Sequence, residues 1–295
     1  MPIPPPVKKR LPLIIFGLVL LILAAVFFMR SPVLIVTDSY FERIYGKGRL
    51  RFRGIWTSLE LFRPVISVEV AVNAGPDLIA LAAAGHSASP WAVFFPYRYM
   101  EAALYYLEMH PNIPVLVMTA DNPGLEDTPL ITFVRTDTRI DMFRAGLYAK
   151  VLAGEEAVLF VSERGINEDL RSSFLTGLAA KHLYRTETLF YYPSMVFPSH
   201  MNIGCMVSSG DTGIFIEQNV QFPLILFSWA DPAYTPRTVK LLFDDTPWAM
   251  AKDALRNYPP AAGELIIPSK PLLLFNRMEN KSSYFRHMRL LREKI

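Results

Sequence analysis

The chain has 295 residues, with 30 lysines and arginines against 27 aspartates and glutamates, and a single cysteine. Four of the basic groups fall in residues 1–30, so 26 basic groups face 27 acidic ones beyond them, which excludes a body that grips nucleic acid through a basic face. One cysteine excludes an internal disulfide, and stability must come from packing.

Residues 11–29 read LPLIIFGLVLLILAAVFFM, without a charge, between Lys8-Lys9-Arg10 and Arg30. Length and flanks predict one transmembrane helix. The basic residues before it place residues 1–10 in the cytoplasm and residues 31–295 in an extracytoplasmic, periplasm-like space, anchored at the inner membrane. A cleaved signal peptide is the alternative, but its apolar core is usually about 7 to 15 residues and ends in small residues. Here the core ends Val26-Phe27-Phe28-Met29-Arg30, and Ala24-Ala25 lies inside it.

Beyond the span, short apolar runs alternate with helical stretches, the pattern of a parallel sheet with crossover helices. Strands are expected at Val33–Asp38, Val65–Val72, Trp91–Phe95 and Pro114–Thr119, with helices up to Leu61, from Pro76 to Ala84 and from Tyr99 to His110. The pattern restarts near residue 130. Strands are expected at Leu130–Val134, Ala157–Val161, Glu187–Tyr192, Gly204–Ser208 and Phe222–Trp229, and helices at Arg139–Leu152, Asn167–His182 and Pro247–Asn257. Gly263–Phe275 reads as extended, with prolines at 268 and 271. Two α/β lobes are therefore expected.

In open parallel sheets ligands bind beyond the carboxyl ends of the strands. Those ends carry Asp38, Tyr97, Arg98, Asp121, Arg164, Asp211, Trp229 and Asp231, and Arg139, at the start of the helix after the strand near residue 130, joins them as a candidate cleft residue. Carboxylates and arginines suit bidentate hydrogen bonds to hydroxyl, amine or carboxylate groups, and the aromatic rings offer flat apolar faces for stacking. Each acidic residue could instead cap the helix that follows it.

Four stretches in order carry a resemblance. They are Val134-Arg135-Thr136-Asp137-Thr138-Arg139 with Phe143-Arg144-Ala145-Gly146, Arg171 to Leu178, Leu226 to Pro232 with Pro236-Arg237-Thr238-Val239, and Ile266 to Leu274. From residue 33 onward the chain resembles the periplasmic-binding-protein type I fold, nearest to the ligand-binding core of the lac repressor family and its sugar-binding periplasmic relatives. The resemblance implies two Rossmann-like lobes joined by crossovers near 129–138, 232–240 and 263–272. Residues 31–135 and 236–262 would form one lobe, 136–235 the other, and 263–277 the closing crossover. It also implies a small polar solute, such as a sugar or nucleoside, and a transporter permease or membrane receptor as partner. No DNA-binding head accompanies the core, and the span in its place fits solute binding better than repression.

Other chemistry finds little support. Asp211-Thr212-Gly213 is the triplet of aspartic proteases, but it occurs once and supplies half a carboxylate pair. Nucleophile-elbow, phosphate-loop and zinc-helix motifs are missing, the five histidines are scattered, and no cofactor is implied. Cys205, in an apolar run, is expected to be a small core residue. The tail 278–295 carries apolar residues at helical spacing opposite basic ones; it is expected to pack on the body, with an anionic membrane surface as the alternative.

Overall fold

A computed structural model describes residues 11–39, 42, 47–96, 99–118, 131–161, 168–180, 188–191, 203–208, 222–227, 238–255, 263–274 and 281–292. Helix α1 spans Leu11–Met29. The first lobe follows with β1 (Val33–Asp38), α2 (Lys47–Leu61), β2 (Val65–Val70), α3 (Pro76–His86), β3 (Ala92–Phe95), α4 (Met100–Met109), β4 (Val115–Met118) and β5 (Ile131–Thr136). The second lobe contains α5 (Thr138–Ala153), β6 (Ala157–Val161), α6 (Glu168–Ala179), β7 (Thr188–Tyr191), β8 (Ile203–Ser208), β9 (Leu224–Phe227) and β10 (Val239–Asp244). The chain then returns through α7 (Pro247–Leu255) and β11 (Gly263–Ile267), and closes with β12 (Lys270–Leu273) and α8 (Lys281–Leu290).

Each lobe is built on a six-stranded sheet, ordered β11-β5-β4-β3-β1-β2 in the first and β12-β10-β9-β8-β6-β7 in the second. All pairings are parallel except β10 with β12. The strands can be nearly continuous apolar runs because helices cover both faces of such sheets. In the first lobe α3 and α4 pack one face of the sheet, while α2 and α7 close the other through Leu50, Trp248, Met250 and Ala251. In the second, α5, α6 and α8 cover one face around Phe160, Phe174, Phe227 and Phe243. Cys205 is buried in that core, which pushes its thiol pKa up and fits a structural residue.

Helices α5 and α6 meet through two glycines. A Cβ on Gly146 would lie 2.2 Å from the carbonyl oxygen of Phe174, and one on Gly177 would lie 2.1 Å from that of Phe143. No side chain fits at either position, so the helix backbones touch and α5 is buried on all sides from Asp141 to Lys150.

Three short segments join the lobes: Asp137 between β5 and α5, Asp245-Thr246 between β10 and α7, and Pro268-Ser269 between β11 and β12. The second crossing thus falls later than the expected 232–240. β10 stays in the second sheet because it pairs with β9 on one side and β12 on the other. The extended stretch 263–275 divides at Pro268 and Ser269 into strands of different sheets.

The tail packs on the body, as expected: Leu290 and Leu291 are buried in the second core, and the Tyr148 hydroxyl lies 3.4 Å from Nδ1 of His287. Helix α1 is apolar and exposed from Ile14 to Met29 apart from the half-buried Phe27. Among the described residues no helix is long and apolar enough to cross a membrane; the side chains of residues 11–13 lie outside that set.

Candidate functional site

The crossings fix how the sheets face each other. The first leaves the carboxyl end of β5, the second that of β10 and the third that of β11, and each bridges the lobes with one or two residues. At roughly 3.5 Å per extended residue, such links bring the carboxyl edges of the two sheets within roughly 10 Å of each other on the hinge side. Ligands of open parallel sheets bind at carboxyl edges, and here two such edges share one cleft.

On the first lobe, Asp38 ends β1 and is buried, and its carboxylate accepts a hydrogen bond from the Tyr99 hydroxyl, just past β3. On the second, Arg139 lies in the first turn of α5, exposed, with its guanidinium 2.6 Å from the Asp169 carboxylate in the first turn of α6. Ser208 ends β8 and is buried. Asp38 and Arg139 thus stand at the two facing edges. Of the other expected site residues, Tyr97, Arg98, Asp121, Arg164, Asp211, Trp229 and Asp231 lie outside the described residues.

Between these edges the hinge is polar and buried. The backbone N–H of Asp137 donates to the Ile267 carbonyl at 2.8 Å, tying the first crossing to the third. Asp137 also caps α5, accepting from the Ile140 N–H at 3.1 Å. Asp244 accepts the Thr246 N–H at 3.2 Å and its hydroxyl at 2.8 Å, and pairs with Arg53 of α2. Arg53 also donates to the Thr246 hydroxyl at 3.0 Å, so a first-lobe helix grips the second crossing.

Asp141, in the first turns of α5, is a strongly perturbed member of this hinge. Its carboxyl pKa is pushed up to about 7, chiefly by burial; the Ser269 contacts and Arg144 oppose that shift and Asp245 adds to it. Burial also pushes the Arg144 guanidinium down, against the pull of Asp141 and Asp137. Among the described residues no group of three or more histidine, cysteine, aspartate or glutamate side chains could hold a metal.

Tyr99, Arg53, Asp141, Asp169, Asp244, Asp245, Thr246 and Ser269 were not expected at the site. Asp244-Asp245-Thr246-Pro247 carried a readable signal, since acidic and hydroxyl residues before a proline mark a helix start directly after a strand.

No protein-family model and no curated protein matches the chain in sequence. Solved structures do match. The chain is similar to an ABC transporter system solute-binding protein from Conexibacter woesei, at 11% identity and a TM-score of 0.61, over 89% of this chain and 95% of that one. It is also similar to a transcriptional activator of the comK gene from Bacillus halodurans, at 11% identity and a TM-score of 0.55, over 89% and 96% of the two chains. A LacI transcriptional regulator from a Rhodococcus species aligns at 14% identity, with a TM-score of 0.47, over 83% and 96%. The chain has the periplasmic-binding-protein type I fold. At these identities the likeness extends to the fold alone.

Proposed function

We propose that the chain is a membrane-tethered extracytoplasmic binding protein whose two lobes close about the hinge over a small polar solute, a sugar or a nucleoside. The observation that carries this reading is the hinge itself. Three crossings of one or two residues each leave from carboxyl edges, so rotation at the hinge opens or closes the space where those edges meet. The Conexibacter woesei neighbour, a solute-binding protein of an ABC transporter, supports the same reading.

In this scheme Asp38, held by Tyr99, orients a hydroxyl-bearing solute from the first lobe, and Arg139 approaches it from the second when the lobes close. Tyr97, Arg98, Asp121, Arg164, Asp211, Trp229 and Asp231 follow or lie between the same strands in sequence and would complete the pocket. A transporter permease or a membrane receptor would read the closed state.

The anchor reading rests on α1. Its 19 residues carry no charge and rise about 28 Å, close to the thickness of a bilayer's hydrocarbon core. An exposed helix that is apolar all round is poorly suited to water. The basic residues Lys8, Lys9 and Arg10 before it favour a cytoplasmic N-terminus and an inner-membrane location.

A thermal-shift screen of the full chain in nanodiscs against sugars, nucleosides and amino acids tests binding, because a ligand that binds only the folded state raises its melting temperature. A saturable shift that is lost in Asp38→Asn is the expected result. A folded protein that responds to nothing in the library would instead support an envelope scaffold.

A further inference from the structure

Helix α2 has two apolar faces where a globular domain needs one. Leu50 and Thr57 turn inward, and Thr57 donates to the Trp248 carbonyl of α7 at 2.9 Å. On the opposite side Phe52, Ile55, Trp56 and Leu59 are 52–65% exposed at the spacing i, i+3, i+4, i+7. Four large apolar side chains in one stripe form a docking surface, unlike scattered exposed residues.

The junction of α2 with the carboxyl end of α1 bears on what covers that stripe. The Phe62 ring, just past α2, meets Phe27 of α1 edge-on at 5.8 Å. The Arg30 guanidinium lies over the Phe62 ring at 4.9 Å, and Arg63 donates to the Ser31 carbonyl at 3.2 Å. Phe62 adopts a left-handed backbone, φ 51°, which is uncommon for a bulky residue and turns the chain at this junction. The carboxyl ends of α1 and α2 are thereby fastened together, so wherever α1 leaves a bilayer, the carboxyl end of α2 lies at its surface.

We infer that α2 lies on the outer surface of the bilayer, with Phe52, Ile55, Trp56 and Leu59 dipping among the lipid headgroups. This rests on the reading of α1 as a membrane anchor. A tryptophan in the stripe suits the headgroup level, and the exposed Arg51 beside it suits anionic lipid. Because Arg53 on the same helix grips Asp244 and Thr246, a docked α2 would hold the first lobe and the hinge at a set height and leave the second lobe as the moving part.

The test uses the full chain carrying Cys205→Ala, reconstituted in liposomes of phosphatidylcholine and phosphatidylglycerol. A polarity-sensitive fluorophore is placed at Ile55→Cys, with Trp56→Cys as a second position and Leu78→Cys, exposed on α3, as the reference. Docking predicts blue-shifted emission at 55 and 56 that is quenched by nitroxide-labelled lipids, and neither effect at 78. Protein that floats with the liposomes but keeps water-like emission at 55 and 56 overturns docking and leaves the anchor standing. A blue shift without lipid quenching overturns it in favour of a second copy of the chain on the stripe. Protein that does not float overturns the anchor and docking together.

Discussion

Both oxygens of the Asp141 carboxylate accept the backbone N–H of Ser269, each at 3.1 Å. Asp141 belongs to the first turns of α5 in the second lobe, and Ser269 to the crossing that returns from the first. A fully buried carboxyl therefore closes the hinge. Burial lifts its pKa from 3.8 to about 7, so the folded state holds this proton more tightly than the unfolded chain does. For this group, stability is greatest where both states are protonated, falls as pH rises from about 4 to about 7, and is level above that. Urea unfolding of wild type and Asp141→Asn across that window should show wild type losing roughly 1 to 4 kcal/mol relative to the variant, which keeps an acceptor for Ser269. Parallel curves would refute the assignment.

Arg53 neutralises Asp244, whose side chain is 1% exposed. Arg53→Met leaves that carboxylate buried without its cation and should lower stability by roughly 3 kcal/mol. Adding Asp244→Asn should restore part of the loss, and a double-mutant cycle from thermal or denaturant melts measures the coupling.

Gly146 and Gly177 face carbonyl oxygens of the opposite helix, which cannot move aside as a flexible side chain can. Alanine at either position should destabilise by roughly 1–3 kcal/mol through forced separation of α5 and α6. Gly85, on α3 with open space around it, is the matched control. There alanine should be neutral or stabilising by up to about 1 kcal/mol, by helix propensity alone.

Leu291 is fully buried in the second core just past α8. Leu291→Ala should cost roughly 2–5 kcal/mol, as expected for an emptied core site. Phe285→Ser, at a position 72% exposed, should change stability little. Equal effects in chemical denaturation would mean that α8 is not part of the core.

The strands were legible because parallel sheets demand long apolar runs, and Val33–Asp38 or Ala157–Val161 admit little else. The presence of two lobes was legible in the number of alternating strands and helices, but the restart near residue 130 falls too early, because Ile131–Thr136 pairs within the first sheet and the lobes part at Asp137. Less visible was which sheet each late strand joins: Val239–Asp244 and Gly263–Ile267 are short runs of similar character, and only pairing assigns them to different lobes. The hinge carboxylates were hidden for a related reason. Asp141 lies four residues past a helix cap, where an acidic residue ordinarily faces water, and its burial depends on Ser269, 128 positions away. The stripe on α2 was obscured because both its faces carry apolar residues, which blurs the helical period.

The most direct test of the central claim, closure of two lobes on a solute, is the distance between them. Spin labels at Leu78→Cys on α3 and Ser172→Cys on α6, in the Cys205→Ala background, place one probe at an exposed position of each lobe. Pulsed electron paramagnetic resonance of the full chain in nanodiscs, with and without pooled sugars and nucleosides, reads the change. A binding protein predicts a shorter, narrower distribution with at least one pool, reversed by Asp38→Asn. A distribution that stays the same in every pool would contradict the account.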